Sequence, residues 1–192
     1  MKQQDLCKLR ESVSQRMTPK RYQHTLGVEK AAAELARVYG ASEDQARRAA
    51  LLHDVTKCLP LEEQLKLCRR WGIITQYGAN APELLHADTG AAVAREEFGE
   101  EEAVVEAIRN HTTGAPDMTL LDKIIYLADC IEENRDYDGV EEIRALCRKD
   151  LDDAMIFALK ENLDHVIRRG KQPNTRSQQA LDFYQAKKEK CL

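Results

Sequence analysis

The sequence predicts an all-α protein, an irregular orthogonal bundle of about eight to ten helices. Three observations carry this. Apolar residues recur three and four apart in one segment after another, as a single helix face requires. No run of four to eight residues alternates with period two, so strands are not expected. The helical segments are mostly short and their connections unequal, which suits an irregular bundle better than a regular four-helix one.

The elements follow in order. Leu6, Leu9, Val13 and Met17 mark the first helical face. Thr18-Pro19 reads as an N-cap and first-turn proline, opening a helix that runs to Gly40. "SEDQ" at 42–45 is a capping box for the next helix, which carries "ARRAALLHD" and is expected to fray near Pro60. A further helix covers 61–71, and the glycine-rich 71–83 stretch reads as a loop. Pro82 opens the helix closed by Gly99. "EEAVVEAIRNH" is followed by the breaker "TTGAP", and Thr119 with Asp122 caps "LLDKIIYLADCIEE". Two more helices, "VEEIRALCRK" and "LDDAMIFALKENLDHVIRR", end at Gly170. "KQPNT" turns into a closing C-terminal helix.

The 192 residues, 43% hydrophobic and 32% charged, suffice for one domain over 1–192 with a substantial core. Net charge is -4 and aromatics are 5%, which argues against a nucleic-acid partner. No apolar run approaches the ~20 residues that cross a membrane. Six cysteines without a C-x-x-C pair, and a polar start lacking an apolar h-region, predict free thiols and a cytoplasmic setting. There is no P-loop and no G-x-S-x-G motif.

Of the five histidines, His165 has no polar partner in sequence and reads as a surface residue. The other four keep polar company. His53 precedes Asp54, His86 stands two before Asp88, His111 meets "TTGAP", and His24 lies in the second helix. Asp129 interrupts the apolar face of "IIYLADCIE", and a buried carboxylate needs a partner or a cation. Four imidazoles and two carboxylates form a set that suits Fe, Mn, Co, Ni or Zn. Taken singly, each histidine is equally a surface or hydrogen-bonded residue. Spacing alone does not bring six residues on five helices together.

The order His24, His53-Asp54, Asp129 resembles the HD-domain metal-dependent phosphohydrolases. His86 and His111 match the subgroup with a two-metal centre. "RYQHTLGVEKAAAELA", "LLHDVTK", "LLHADTGA" and "IRNHTTGAPDMTLLDKIIYLADCIEENRDYDGVEEIR" are similar to the bacterial YqeK family, over a core of about residues 18–170. The resemblance implies an HD-type bundle and symmetrical hydrolysis of diadenosine tetraphosphate to two ADP, by attack of a metal-activated water on an inner phosphorus. It implies one or two transition-metal ions, iron foremost, held by His24, His53, Asp54, His86, His111 and Asp129. Val55-Thr56 and Cys58, around Lys57, depart from the family pattern without touching the ligand positions.

Beside these ligands, Lys57 and Arg135 are candidates to bind phosphate, Lys57 provided the helix persists that far. The alternative for Arg135 is a salt bridge to Glu132 or Asp136. Thr112, Thr113 and Gly114 offer donors next to His111 or are only a helix stop. Gln172, Pro173 and Thr175 are candidates for an adenine or ribose pocket. Asp88 is a candidate to orient a liganding histidine and Arg21 to support the site. Other readings stay open: another HD nucleotide phosphohydrolase, or a non-catalytic module that senses a nucleotide. The resemblance implies a small nucleotide as the partner, and a monomer or a homodimer is expected.

Overall fold

The computed structural model describes residues 5–74 and 81–190; Cys191 and part of the 71–83 loop lie outside them. The described residues form ten α-helices, one 3₁₀ turn and no strand, as expected. Asp5 caps α1 (Leu6–Ser14) by accepting from Lys8 N. Thr18 caps α2 (Pro19–Tyr39), whose proline sits where an N–H has no helical partner, and Gly40 ends it in the left-handed region. Ser42 caps α3 (Glu43–Leu52), and α4 (Leu61–Trp71) follows. A 3₁₀ turn (Pro82–Leu84) leads into α5 (Leu85–Glu96), and then α6 (Glu102–Asn110). The Thr119–Asp122 capping box is complete at the head of α7 (Leu120–Ile131). The chain finishes with α8 (Val140–Leu146), α9 (Leu151–Arg168) and α10 (Thr175–Glu189).

α2 packs on α3 and α7, α5 on α6, and α9 on α10. Leu51, Leu52, Ile108, Ile124, Ile125, Leu127 and Leu159 are fully buried where these faces meet. Each such side chain contributes about 1.5–3 kcal/mol. This apolar floor fixes the ends of α3, α6 and α7, where the polar residues of interest stand.

α3 differs from its sequence reading. It stops at Leu52, and 53–59 is a run of tight turns closed by Val55 N to Leu52 O, Lys57 N to Asp54 O and Leu59 N to Thr56 O. Tertiary bonds favour this over a continued helix. The Thr56 hydroxyl donates to the His86 carbonyl at 3.1 Å and lies 2.9 Å from the Thr89 hydroxyl. Gly90 lets α5 approach that turn, since a Cβ there would sit 3.3 Å from the His53 carbonyl oxygen.

Candidate metal centre

His24, His53, Asp54, His86, His111 and Asp129 converge at one place. His53 and His111 are the C-cap residues of α3 and α6, where helix carbonyls lack helical partners. Each ring uses this: His53 Nδ1 lies 2.7 Å from the Ala50 carbonyl and His111 Nδ1 2.6 Å from that of Ile108. His86, near the start of α5, meets the Glu83 carbonyl at 2.8 Å through Nδ1. His24 stands within α2, and its Nδ1 lies 3.1 Å from Glu132 Oε1.

With Nδ1 engaged, the Nε2 atoms face one another and Asp54. Asp54 Oδ2 lies 3.3 Å from His53 Nε2 and 3.8 Å from His24 Nε2. Its Oδ1 lies 3.2 Å from His86 Nε2 and 3.8 Å from His111 Nε2. Asp129 Oδ1 lies 3.1 Å from His24 Nε2. The carboxylate of Asp54 thus stands between two histidine groups, with one oxygen towards each.

The electrostatics suit ligation. Burial opposes ionisation of Asp54, yet the surrounding His53, His111 and His86 hold its pKa well below the usual carboxylate range. Asp129 is likewise held low, against burial, by His24, Arg135 and His53. Burial, with His111 and Lys57 adding to it, pushes His86 down to about 4, so its ring is neutral at ordinary pH. Burial would also depress His53, but Asp54 and Asp129 raise it.

Two features test the fit to a metal. His24 Nε2 and His53 Nε2 are buried without a well-formed hydrogen bond among the described residues. Such atoms are uncommon and costly unless something else meets them. Two triads, His24-His53-Asp129 and His53-Asp54-His111, each bring one ligand atom per residue within 4.8 Å of the others. This buried set of imidazole and carboxylate donors, without thiolate, fits a divalent metal.

A family model described as HD domain matches residues 21–134. The chain belongs to the HD domain family. Two relatives, from Bacillus subtilis and Halalkalibacterium halodurans, are both named symmetrical bis(5'-nucleosyl)-tetraphosphatase. They are 41% and 44% identical to this chain, each over 82% of it and over 85% and 84% of their own lengths. A Staphylococcus aureus protein of the same name is 33% identical over 71% of both chains. A Clostridium acetobutylicum structure, described as a predicted HD superfamily hydrolase involved in NAD metabolism, superposes with a TM-score of 0.91 at 33% identity. It covers 97% of this chain and is itself covered in full.

The remaining candidates of this HD domain protein divide. Lys57 reaches the cluster through the 53–59 turn rather than along a helix face. Its Nζ lies 3.2 Å from His86 Nδ1 and 3.3 Å from Nε2, and burial lowers its pKa. Arg21 donates to Asp54 Oδ2 at 2.9 Å. Arg135 pairs with neither Glu132 nor Asp136 through its side chain. It grips Asp129, through Nε to the carbonyl at 2.8 Å and Nη2 to Oδ1 at 2.5 Å.

Asp88, Gly114 and Thr113 have polar partners of their own. Asp88 is buried 3.9 Å from Arg109, and backbone carbonyls and Glu132 already hold the histidine Nδ1 atoms that it was to orient. The Gly114 N–H donates to the Asn110 carbonyl, closing α6, so it is a helix stop. The buried Thr113 hydroxyl donates to the Gly114 carbonyl.

Thr112, Gln172, Pro173 and Thr175 do converge, with Thr113, on a cavity of about 1100 Å³. His165, read as a surface residue, lines it too, as does Arg169. Glu132, only 2% exposed, was missed as a neighbour of the cluster. The signal was its place three residues after Asp129, one helical turn along.

Proposed function

We propose that this protein is a metal-dependent symmetrical bis(5'-nucleosyl)-tetraphosphatase, converting diadenosine tetraphosphate and water to two ADP. The observation that carries the reading is Asp54 standing between two groups of histidines, one carboxylate oxygen towards each. His24, His53, Asp129 and Asp54 Oδ2 would hold one ion, and His86, His111 and Asp54 Oδ1 a second. Such ions, when bound, lower the pKa of a coordinated water and neutralise phosphate charge. Iron is the ion that the YqeK resemblance implies. Free thiols at the five described cysteines support a reducing, cytoplasmic setting.

The chain's own residues supply the rest. Lys57 Nζ, at the edge of the cluster, donates to a substrate phosphate oxygen. Arg135 keeps Asp129 ionised and in place, and presents its remaining N–H groups to phosphate. The cavity adjoins the cluster through Thr112, which follows His111, and through Glu83, whose carbonyl meets His86. It takes one nucleoside half, with Gln172, Pro173 and Thr175 on its wall. Attack at an inner phosphorus breaks the central P–O bridge, and the leaving oxygen takes up a proton. Both products are then ADP.

The test is metal analysis of freshly purified protein followed by chromatography of its products from diadenosine tetraphosphate. The expected result is bound transition metal and ADP alone. AMP plus ATP would refute the cleavage point. Full turnover after complete removal of metal by a chelator would refute the metal centre.

A further inference from the structure

We infer that Glu132 is the positioning residue that fixes the ring of His24, and that Gly27 keeps the space in which it does so. The inference rests on the metal reading above and deepens it. Three of the four cluster histidines orient themselves locally, through carbonyls three residues earlier in the chain. Those carbonyls are available because His53 and His111 end their helices and Glu83 precedes α5. His24 lacks that option. It lies inside α2, where the helix's own N–H groups consume the carbonyls of the preceding turn. Its Nδ1 therefore needs a side-chain acceptor, and Glu132 brings one from 108 residues away.

The carboxylate is set for this task. Glu132 Oε2 accepts from Asn134 N at 2.7 Å and Asn134 Nδ2 at 2.9 Å, which leaves Oε1 to face His24. A carboxylate oxygen at Nδ1 favours the Nδ1–H tautomer, the one that leaves the Nε2 lone pair for a cation. Nε2 faces Asp129 and Asp54. The end of α7 thus grips both edges of one imidazole, Asp129 at Nε2 and Glu132 at Nδ1. The Glu132 carbonyl accepts from Arg135 N and from Arg144 Nη2, which anchors the segment.

Gly27 adds an independent observation. It lies three residues after His24 on α2, and a Cβ there would fall 2.4 Å from Glu132 Oε2 and 3.3 Å from Glu132 Cβ. Glycine inside a helix costs about 1 kcal/mol relative to alanine. Here its absence of a side chain is what admits the carboxylate. Gly27→Ala should therefore leave the helix at least as favourable while displacing Glu132.

The experiment uses the full chain in two states. In metal-free protein at alkaline pH, long-range ¹H–¹⁵N correlation reads the tautomer of each histidine. His24 is assigned by its loss in His24→Gln. In the second state, cobalt(II) is titrated and its d–d absorption followed. The wild type should show Nδ1–H at His24, and Glu132→Ala and Gly27→Ala should both lose that bias. Cobalt affinity should fall about 10–100-fold in both variants, as loss of an outer partner of a liganding histidine does. Glu132→Gln keeps an acceptor oxygen and should retain both the tautomer and more of the affinity. Unchanged tautomer and affinity in Glu132→Ala and Gly27→Ala would overturn the inference. Wild-type protein that takes up no cobalt would instead overturn the metal reading, and the tautomer would still decide the role of Glu132. Should Glu132→Ala fail to fold, Gly27→Ala and Glu132→Gln carry the same comparison.

Discussion

His86 Nε2 stands 3.2 Å from Asp54 Oδ1, joining the start of α5 to the turn that follows α3. Because Asp54 Oδ2 faces His53 and His24, this contact divides one carboxylate between two histidine groups. Asp54→Ala should therefore empty both metal positions and lower kcat/KM by more than the ~100-fold typical of an outer partner. Metal stoichiometry beside the rate checks it. Retained metal with ordinary turnover would remove Asp54 from the centre.

Lys57 should separate binding from metal content. Its Nζ lies beside the His86 ring without being a metal ligand. A hydrogen bond to a charged group is worth about 1.5–3 kcal/mol, so Lys57→Met should lower kcat/KM by roughly 10–100-fold with bound metal unchanged. Loss of metal in this variant would assign Lys57 to the fold of the site instead.

The stability of the metal-free protein should depend on pH through His86. Its folded-state pKa is pushed down to about 4, while in the unfolded chain it titrates near 6.5. As pH falls from 6.5 to 4 the unfolded state takes a proton that the folded state refuses, so stability drops across that window and the drop ends below it. The gap corresponds to roughly 3 kcal/mol. Denaturant titrations of wild type and His86→Gln along this range should show the steeper slope in the wild type. Equal slopes would count against a neutral buried His86.

A second ion pair tests the scaffold rather than the site. Arg48 and Glu100 are buried with side chains 3% and 0% exposed, joined at 2.8 Å and 2.6 Å. Removing Glu100 takes away the carboxylate that both of these bonds reach, so Glu100→Ala should cost about 3–5 kcal/mol. The double variant Arg48→Met/Glu100→Leu should recover most of that loss. Denaturation midpoints of the three proteins settle it, and a double variant no better than the single would refute the account.

Much of this was legible in the sequence because it is local. The caps at Thr18, Ser42 and Thr119 satisfy backbone groups within three residues, so their signatures need no tertiary knowledge. The odd carboxylate at Asp129 and the His53-Asp54 pair stood out against apolar surroundings for the same reason. The end of α3 was misplaced because Thr56 bonds to α5, a partner that no local pattern reveals. Asp88 was misassigned because its polar neighbour, Arg109, comes from α6.

The helices, their caps and the residue types able to hold a transition metal are readable along the chain, since periodicity and ligand chemistry are local properties. That six residues from five places in the chain meet, that Asp54 faces both histidine groups, and that Glu132 rather than a carbonyl serves His24 follow from the fold. Those are distances between helices, set by how buried faces pack, and no spacing along the chain encodes them.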